Sequence, residues 1–268
     1  MDIKYSIFDP TGNITALVET RVANAEQPAI ADEIMKAHPQ VEQVGFVYFV
    51  PGRPVPALLR MAGGEFCGNA TMSAAVLYLM RSGEETDNVR VNVSGVSRPI
   101  EVSLKAKDDG SYDAGVQMPD ALEISIQKLR SNVADASMTV VRMEGISHIV
   151  IERFSGLYSL KDDKQAAEQL VRDWCSELGA DCLGLMFLEG DGTSWKLTPL
   201  VYVPGADTMF WENSCASGTA AVGMYMASKL EEAVDMTINE PAGTMRVSSD
   251  PEARETIIYG NTKIICDN

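Results

Sequence analysis

Residues 65–75 read EFCGNATMSAA, and residues 213–223 read NSCASGTAAVG. Laid over each other at an offset of 148 residues, the two stretches share Cys67 with Cys215 and Thr71 with Thr219. Small residues match in kind at Gly68/Ala216, Ala70/Gly218 and Ser73/Ala221. Each stretch runs on into an apolar helix: Met72, Val76 and Met80 share a face after the first cysteine, and residues 216–230 form the second. One copy in each half of a 268-residue chain predicts a duplicated architecture.

The elements on either side repeat in nearly the same order. β-Branched and aromatic runs bounded by Pro, Gly and Asp predict strands at residues 14–19, 43–50, 57–60, 89–93 and 99–104. Helices are expected at 28–37, where Ile30 and Ile34 share a face, and at 68–80. After a linker at 119–136, strands are expected at 139–143 and 148–152, then a helix at 165–178 with Leu170, Val171, Trp174 and Leu178 on one face. Strands at 183–188 and 195–203, the helix at 216–230, and strands at 236–239, 245–247, 256–259 and 263–266 complete the order. The expected class is α/β (α+β) in two pseudo-symmetric lobes, 1–120 together with the C-terminal segment 256–268, and 121–255. An exposed strand edge near the C-terminus is expected to support a homodimer.

Composition narrows the function. With 46% apolar and 22% charged residues the usage is that of a globular protein, and no run reaches the roughly 18 apolar residues of a membrane span. Twenty-two basic against 38 acidic residues give a net charge of −16, which disfavours nucleic acid and anionic membranes as partners. The opening MDIKYSIFDPTG lacks a basic start and an apolar stretch, so a cytoplasmic protein is expected. Five cysteines without CxxC spacing read as reduced thiols with no metal site.

A cysteine just before small residues that open a helix meets unpaired N–H groups and the positive end of the macrodipole. That setting favours a thiolate, and the same N–H groups can hold a carboxylate. If the lobes face each other, Cys67 and Cys215 would stand on opposite sides of one bound carbon. One thiolate would take an α-proton and the opposing thiol would return one to the other face. Cys175, Cys182 and Cys266 read instead as small packing residues.

At these residues the chain resembles the diaminopimelate epimerase family of pyridoxal-phosphate-independent amino-acid racemases. The string from Glu65 to Ala70 is similar to its first cysteine motif, and residues 213–219 to its Cys-Gly-Thr/Ser-Gly motif. Thr11-Gly12-Asn13 resembles its Gly-Asn substrate loop, Glu42-Gln43-Val44 its Asp-Gln step, and the segment Gly145 to His148 its Gly-Asn-Pro-His. The resemblance implies two mixed sheets, each wrapped around a central helix, with the reaction in an interlobe cleft and no cofactor. It makes Cys67 and Cys215 the two bases, places Asn13, Gln43 and Asn69 on an amino-acid substrate, and puts His148 near the thiols. Backbone groups at Gly68–Asn69 and at Ala216, Ser217, Gly218 and Thr219 would bind the α-carboxylate.

The departures bear on the substrate. Ile146 stands at the position resembling a family asparagine, and residues 202–213 contain no arginine where the family has Glu-Arg-Gly. A distal carboxylate would lose its bidentate partner. A single-centre amino acid therefore fits better than diaminopimelate, and the string Gly63 to Ala70 resembles the histidine racemases of metallophore pathways. Glu65 and Glu212, two and three residues before their cysteines, read as proton partners, amine ligands or helix caps. Phe210 and Trp211 offer a flat wall for a ring-bearing side chain or ordinary core, and His38 reads as a surface residue. Diaminopimelate epimerisation, a binding module for small carboxylates with inert cysteines, and a thiol-dependent dehydratase are the alternatives.

Overall fold

The computed structural model describes residues 2–267; Met1 and Asn268, the outer ends of the expected first lobe, lie outside the described residues. Parallel strands need a long crossover and antiparallel ones only a turn, so the α-helices sit where strand direction repeats. The chain forms a mixed α+β fold and divides into two compact units, one up to Met118 and again from Ile258, the other Pro119–Ile257.

In the first unit β1 (Tyr5–Pro10) and β2 (Thr15–Val18) are followed by α1 (Gln27–Ala37), β3 (Gln43–Phe49) and β4 (Ala57–Met61). Then come α2 (Gly68–Ser82), β5 (Asn88–Val93), β6 (Ile100–Ala106) and β7 (Tyr112–Gln117). Helix α1 crosses between parallel β2 and β3, and α2 between parallel β4 and β5; the other sequential neighbours are antiparallel. The α2 sequence is small and apolar on every side, and such a helix must be covered all round. Residues Gly68 through Tyr78 are all buried, and α2 packs against each of β1–β7.

In the second unit β8 (Glu123–Leu129), β9 (Ala136–Met143) and β10 (Ile146–Glu152) precede α3 (Lys164–Leu178) and β11 (Leu183–Gly190). Next are β12 (Trp195–Val203), β13 (Thr208–Trp211), α4 (Ala216–Leu230), β14 (Val234–Glu240) and β15 (Gly243–Asp250). Helix α3 crosses between parallel β10 and β11, and α4 between parallel β12 and β14. The two helices differ in kind. Helix α3 is amphipathic and lays Ala167, Leu170, Val171 and Trp174 on Leu183, Leu185 and Phe187, with Leu178 at the margin. Helix α4 is apolar or small for most of its length and packs against β9, β10, β11, β14 and β15.

The last strand, β16 (Glu255–Asp267), pairs antiparallel with β1 from Ser6↔Asp267 to Pro10↔Thr262, and neighbours β7 in strand order. This closes β1–β7 and β16 into a barrel.

Several expectations are corrected. The C-terminal strand edge expected to support a homodimer is paired with β1, because barrel closure uses its N–H and C=O groups. The two strands expected at 256–259 and 263–266 are one, running through Gly260, which reads locally as a break but lies where Thr11 approaches the backbone. The linker at 119–136 contains β8. Met80, on the same face of α2 as Met72 and Val76, is 40% exposed, since the last turn of the helix emerges there.

Candidate active site

Cys67 is the N-cap of α2. Its backbone is extended at φ −137° and its Sγ accepts a hydrogen bond from Ala70 N–H at 3.3 Å. A thiol in the place usually taken by Ser or Asp satisfies one of the orphan N–H donors. The S–H donates to Gln43 Oε1 at 2.6 Å, so Gln43, expected on the substrate, is a partner of the thiol. Thr71 Oγ1 donates to the Cys67 carbonyl at 2.6 Å. Asn69 is buried in the first turn of α2, its carbonyl accepting from Ser73 Oγ.

Asn13 sits after the turn that ends β1, where Thr11 and Gly12 take left-handed φ values of 59° and 95°. Thr11 offsets that strain by exchanging hydrogen bonds with the Asn261 backbone. Asn13 is fully buried; its Nδ2 donates to Glu42 Oε2 at 2.7 Å, while its Oδ1 has no hydrogen-bond partner. Glu65 folds back over Gly63 rather than capping α2, and its Oε2 is buried without a hydrogen-bond partner. Burial pushes its carboxyl above the ordinary value against backbone hydrogen bonds and the charge of Arg60.

Cys215 repeats the arrangement in the second unit. It caps α4 with φ −132°, and its Sγ accepts from Gly218 N–H at 3.3 Å. Both cysteines are buried, at 7% and 4% exposure. The surroundings of Cys215 are acidic, however. Burial drives its thiol well above the ordinary value, and the charges of Glu212 and Glu240 drive it further, with Ser217 opposing. Ser217 Oγ lies 3.6 Å from the sulfur. A Cβ at Gly218 would collide with the Met186 sulfur and stand 3.1 Å from Cys215 Sγ, so the first turn of α4 needs glycine there. Ala216 is buried beside it.

Glu240, at the end of β14, was not among the residues singled out from sequence. Its Oε2 accepts Cys215 N–H at 2.6 Å, and its Oε1 accepts the Thr219 hydroxyl. Burial pushes its carboxyl up to about 8, held back by those two hydrogen bonds and assisted by Glu212. No local motif marks it, because 25 residues separate it from Cys215. The strand alternation, with a carboxylate at an inward position after Met236 and Ile238, was the available signal.

His148, on β10, is fully buried beside Gly184, its register partner on β11; a Cβ there would collide with His148 Nδ1. Neither ring nitrogen has a hydrogen-bond partner, and burial pulls its pKa down to about 3. The imidazole is therefore neutral near pH 7 and cannot favour a thiolate by positive charge. Met186 lies between Gly184 and Gly218, which connects this pocket to the start of α4.

Other side chains are committed elsewhere. Trp211 stacks on Phe187 with centroids 6.0 Å apart and donates to Glu168 on α3, so it belongs to the core against α3. His38 is half-buried and bonded to Tyr5 Oη at 2.8 Å. Cys175 and Cys182 are buried, the former donating to the Ala180 carbonyl, and Cys266 is half-buried in β16. Among the described residues no group of three or more His, Cys, Asp or Glu could hold a metal, and no helix is long and apolar enough to cross a membrane.

The family model described as "Histidine racemase CntK N-terminal domain" matches residues 2–266. A histidine racemase of Fusobacterium nucleatum is 31% identical, the alignment covering 100% of this chain and 97% of that protein. One from Staphylococcus aureus is 31% identical over 92% of this chain and 88% of its own. Among solved structures, a predicted epimerase from Pseudomonas aeruginosa superposes with TM-score 0.71 at 12% identity, covering 100% of this chain and 98% of that one. A hydroxyproline epimerase from Agrobacterium vitis gives 0.65 at 9%, covering 99% and 91%.

Proposed function

Because the chain belongs to the histidine racemase family and is an isomerase, we propose that it inverts the α-carbon of histidine, without a cofactor, using Cys67 and Cys215 as the two bases. The observation that carries this reading is the repeated cap: two buried cysteines, 148 residues apart, each accept an N–H from the third residue of a helix at 3.3 Å. In this reading α2 and α4 each supply one capping sulfur, one for each face of the substrate α-carbon.

The steps follow from the chemistry of each group. Near neutral pH the α-proton of an amino acid is only weakly acidic, so the enolate charge must be met as it forms. Main-chain N–H groups at Gly68 and Asn69 and at Ala216 and Ser217 would receive the carboxylate; Gly218 and Thr219, also expected there, give their N–H groups to Cys215 Sγ and to the Cys215 carbonyl. Gln43 can present its amide oxygen to a Cys67 thiol, as here, or its NH2 to the thiolate after a flip. That suits a group that must gain and lose a proton within one turnover. Asn13 Oδ1 and Glu65 Oε2, both buried and without hydrogen-bond partners, are acceptors for the substrate ammonium. Neutral His148 and the Glu212 carboxylate act on the Cys215 side.

The reading is tested by incubating the chain in D2O with reductant and without pyridoxal phosphate. L- and D-histidine, other single-centre amino acids, and LL- and meso-diaminopimelate are supplied one at a time. Inversion of histidine is expected. Inversion of diaminopimelate alone would replace the substrate, and no inversion of any of them would remove the racemase assignment.

A further inference from the structure

Strands β5 and β14 follow the two cysteine-capped helices and bury alternate residues. The inward row of β5 is Val89, Val91 and Val93; that of β14 is Met236, Ile238 and Glu240. A carboxylate thus takes the third inward position in one unit where a valine suffices in the other. Burying a carboxyl is costly unless its oxygens find donors. Glu240 has two, the Cys215 N–H and the Thr219 hydroxyl. In the first unit the matching threonine, Thr71, is bonded to the Cys67 carbonyl instead.

We infer that Glu240 is a positioning residue for the reaction: it fixes the main chain of Cys215 and holds that cysteine as the thiol, the proton-donating member of the resting pair. The inference rests on the two-cysteine reading above. The titratable groups facing Glu240 are Cys215 and Glu212. As pH rises the carboxyl ionises first, near about 8, and its buried charge then opposes ionisation of the sulfur it adjoins. In the forward cycle the substrate α-proton goes to the Cys67 thiolate and the Cys215 S–H proton goes to the opposite face. Cys67 is left as thiol and Cys215 as thiolate, and exchange of one proton between them through solvent restores the start.

The test is alkylation by iodoacetamide of the full-length chain between pH 6 and 10, without substrate, with each cysteine followed by peptide mass spectrometry. Glu240→Gln keeps an acceptor oxygen and removes the charge. It is expected to move the high-pH limb of the Cys215 curve down by at least one pH unit, with alkylation about twofold faster at pH 8, where half of the carboxyl is charged, and rising toward about tenfold at pH 10, while the Cys67 curve stays in place. An unmoved Cys215 curve, or equal movement of both, would overturn the inference. If Glu240→Gln does not fold, carboxyl NMR on glutamate-labelled wild-type protein serves instead. A carboxyl titrating between pH 7 and 9 should shift its midpoint in Cys215→Ala, and the absence of that resonance or of its shift would overturn the inference equally. Neither readout uses turnover, so failure of wild-type racemisation would strike the proposed function and leave the thiol result to be read separately.

Discussion

Thr71 and Thr219 each stand four residues beyond a capping cysteine, yet Thr71 Oγ1 donates to the Cys67 carbonyl and Thr219 Oγ1 to the Glu240 carboxylate. The same residue at the same place in the repeat thus closes a local helix bond in one unit and satisfies a buried carboxyl in the other. Replacing each by valine separates the two roles. Thr71→Val leaves a carbonyl that α2 itself bonds through Thr71 N–H, so a loss below about 1 kcal/mol is expected. Thr219→Val strips a donor from a buried carboxyl and should cost roughly 1.5–3 kcal/mol. Urea denaturation at pH 7 checks the difference, and equal losses would contradict it.

His148 makes stability fall in acid. Its folded pKa of about 3 lies below the ordinary 6.5, so the stability it contributes is fully present above pH 6.5 and is lost as pH falls toward 3. One such group contributes a slope of about 1.4 kcal/mol per pH unit within that window. His148→Gln should flatten the denaturation midpoint between pH 6 and 4 relative to wild type. An unchanged slope would mean that the imidazole becomes charged in place.

Gly218→Ala sets helix propensity against packing. Alanine favours a helix interior by about 1 kcal/mol over glycine. At this position its Cβ meets the Met186 sulfur and comes within 3.1 Å of Cys215 Sγ. We expect racemisation to fall at least tenfold with the fold intact, and Met186→Ala to restore part of it in the double variant. Restoration no better than the product of the single effects would refute the coupling.

Much of the fold is legible because its periodicities are strong: the Leu170, Val171 and Trp174 face of α3 and the span of α4 read directly from the chain. Strand β1 is less so, because both its faces are largely buried and alternation disappears. Strand β7, YDAGVQ, sets Asp113, Ala114 and Gly115, of low strand preference, between Tyr112 and Val116, and is held by pairing with β6. The candidate site divides in the same way. Cys67 and Cys215 are visible as a repeat, and Asn13 and Gln43 through resemblance, whereas Glu240 reaches Cys215 only through the α4 crossover that sets β14 beside β12. Trp211 reads equally well as a substrate wall or as core from composition, and only its stacking on Phe187 decides.

Loss of either thiol should separate proton removal from inversion. Cys67→Ala and Cys215→Ala are each expected to lower racemisation by at least 10²-fold, the lower range of what positioned acid–base groups contribute. Exchange of the α-proton from one enantiomer should persist partially in each variant, the enantiomer differing between the two. Full racemisation by both variants would remove the cysteines from the mechanism.

The most direct measurement of the central claim is deuterium incorporation at early turnover in D2O, starting separately from L- and D-histidine. With two monoprotic thiols on opposite faces, product should carry solvent deuterium while recovered substrate remains protiated in both directions. Substrate that gains deuterium as fast as product forms, or product that keeps the original proton, would point to a single base and contradict the account.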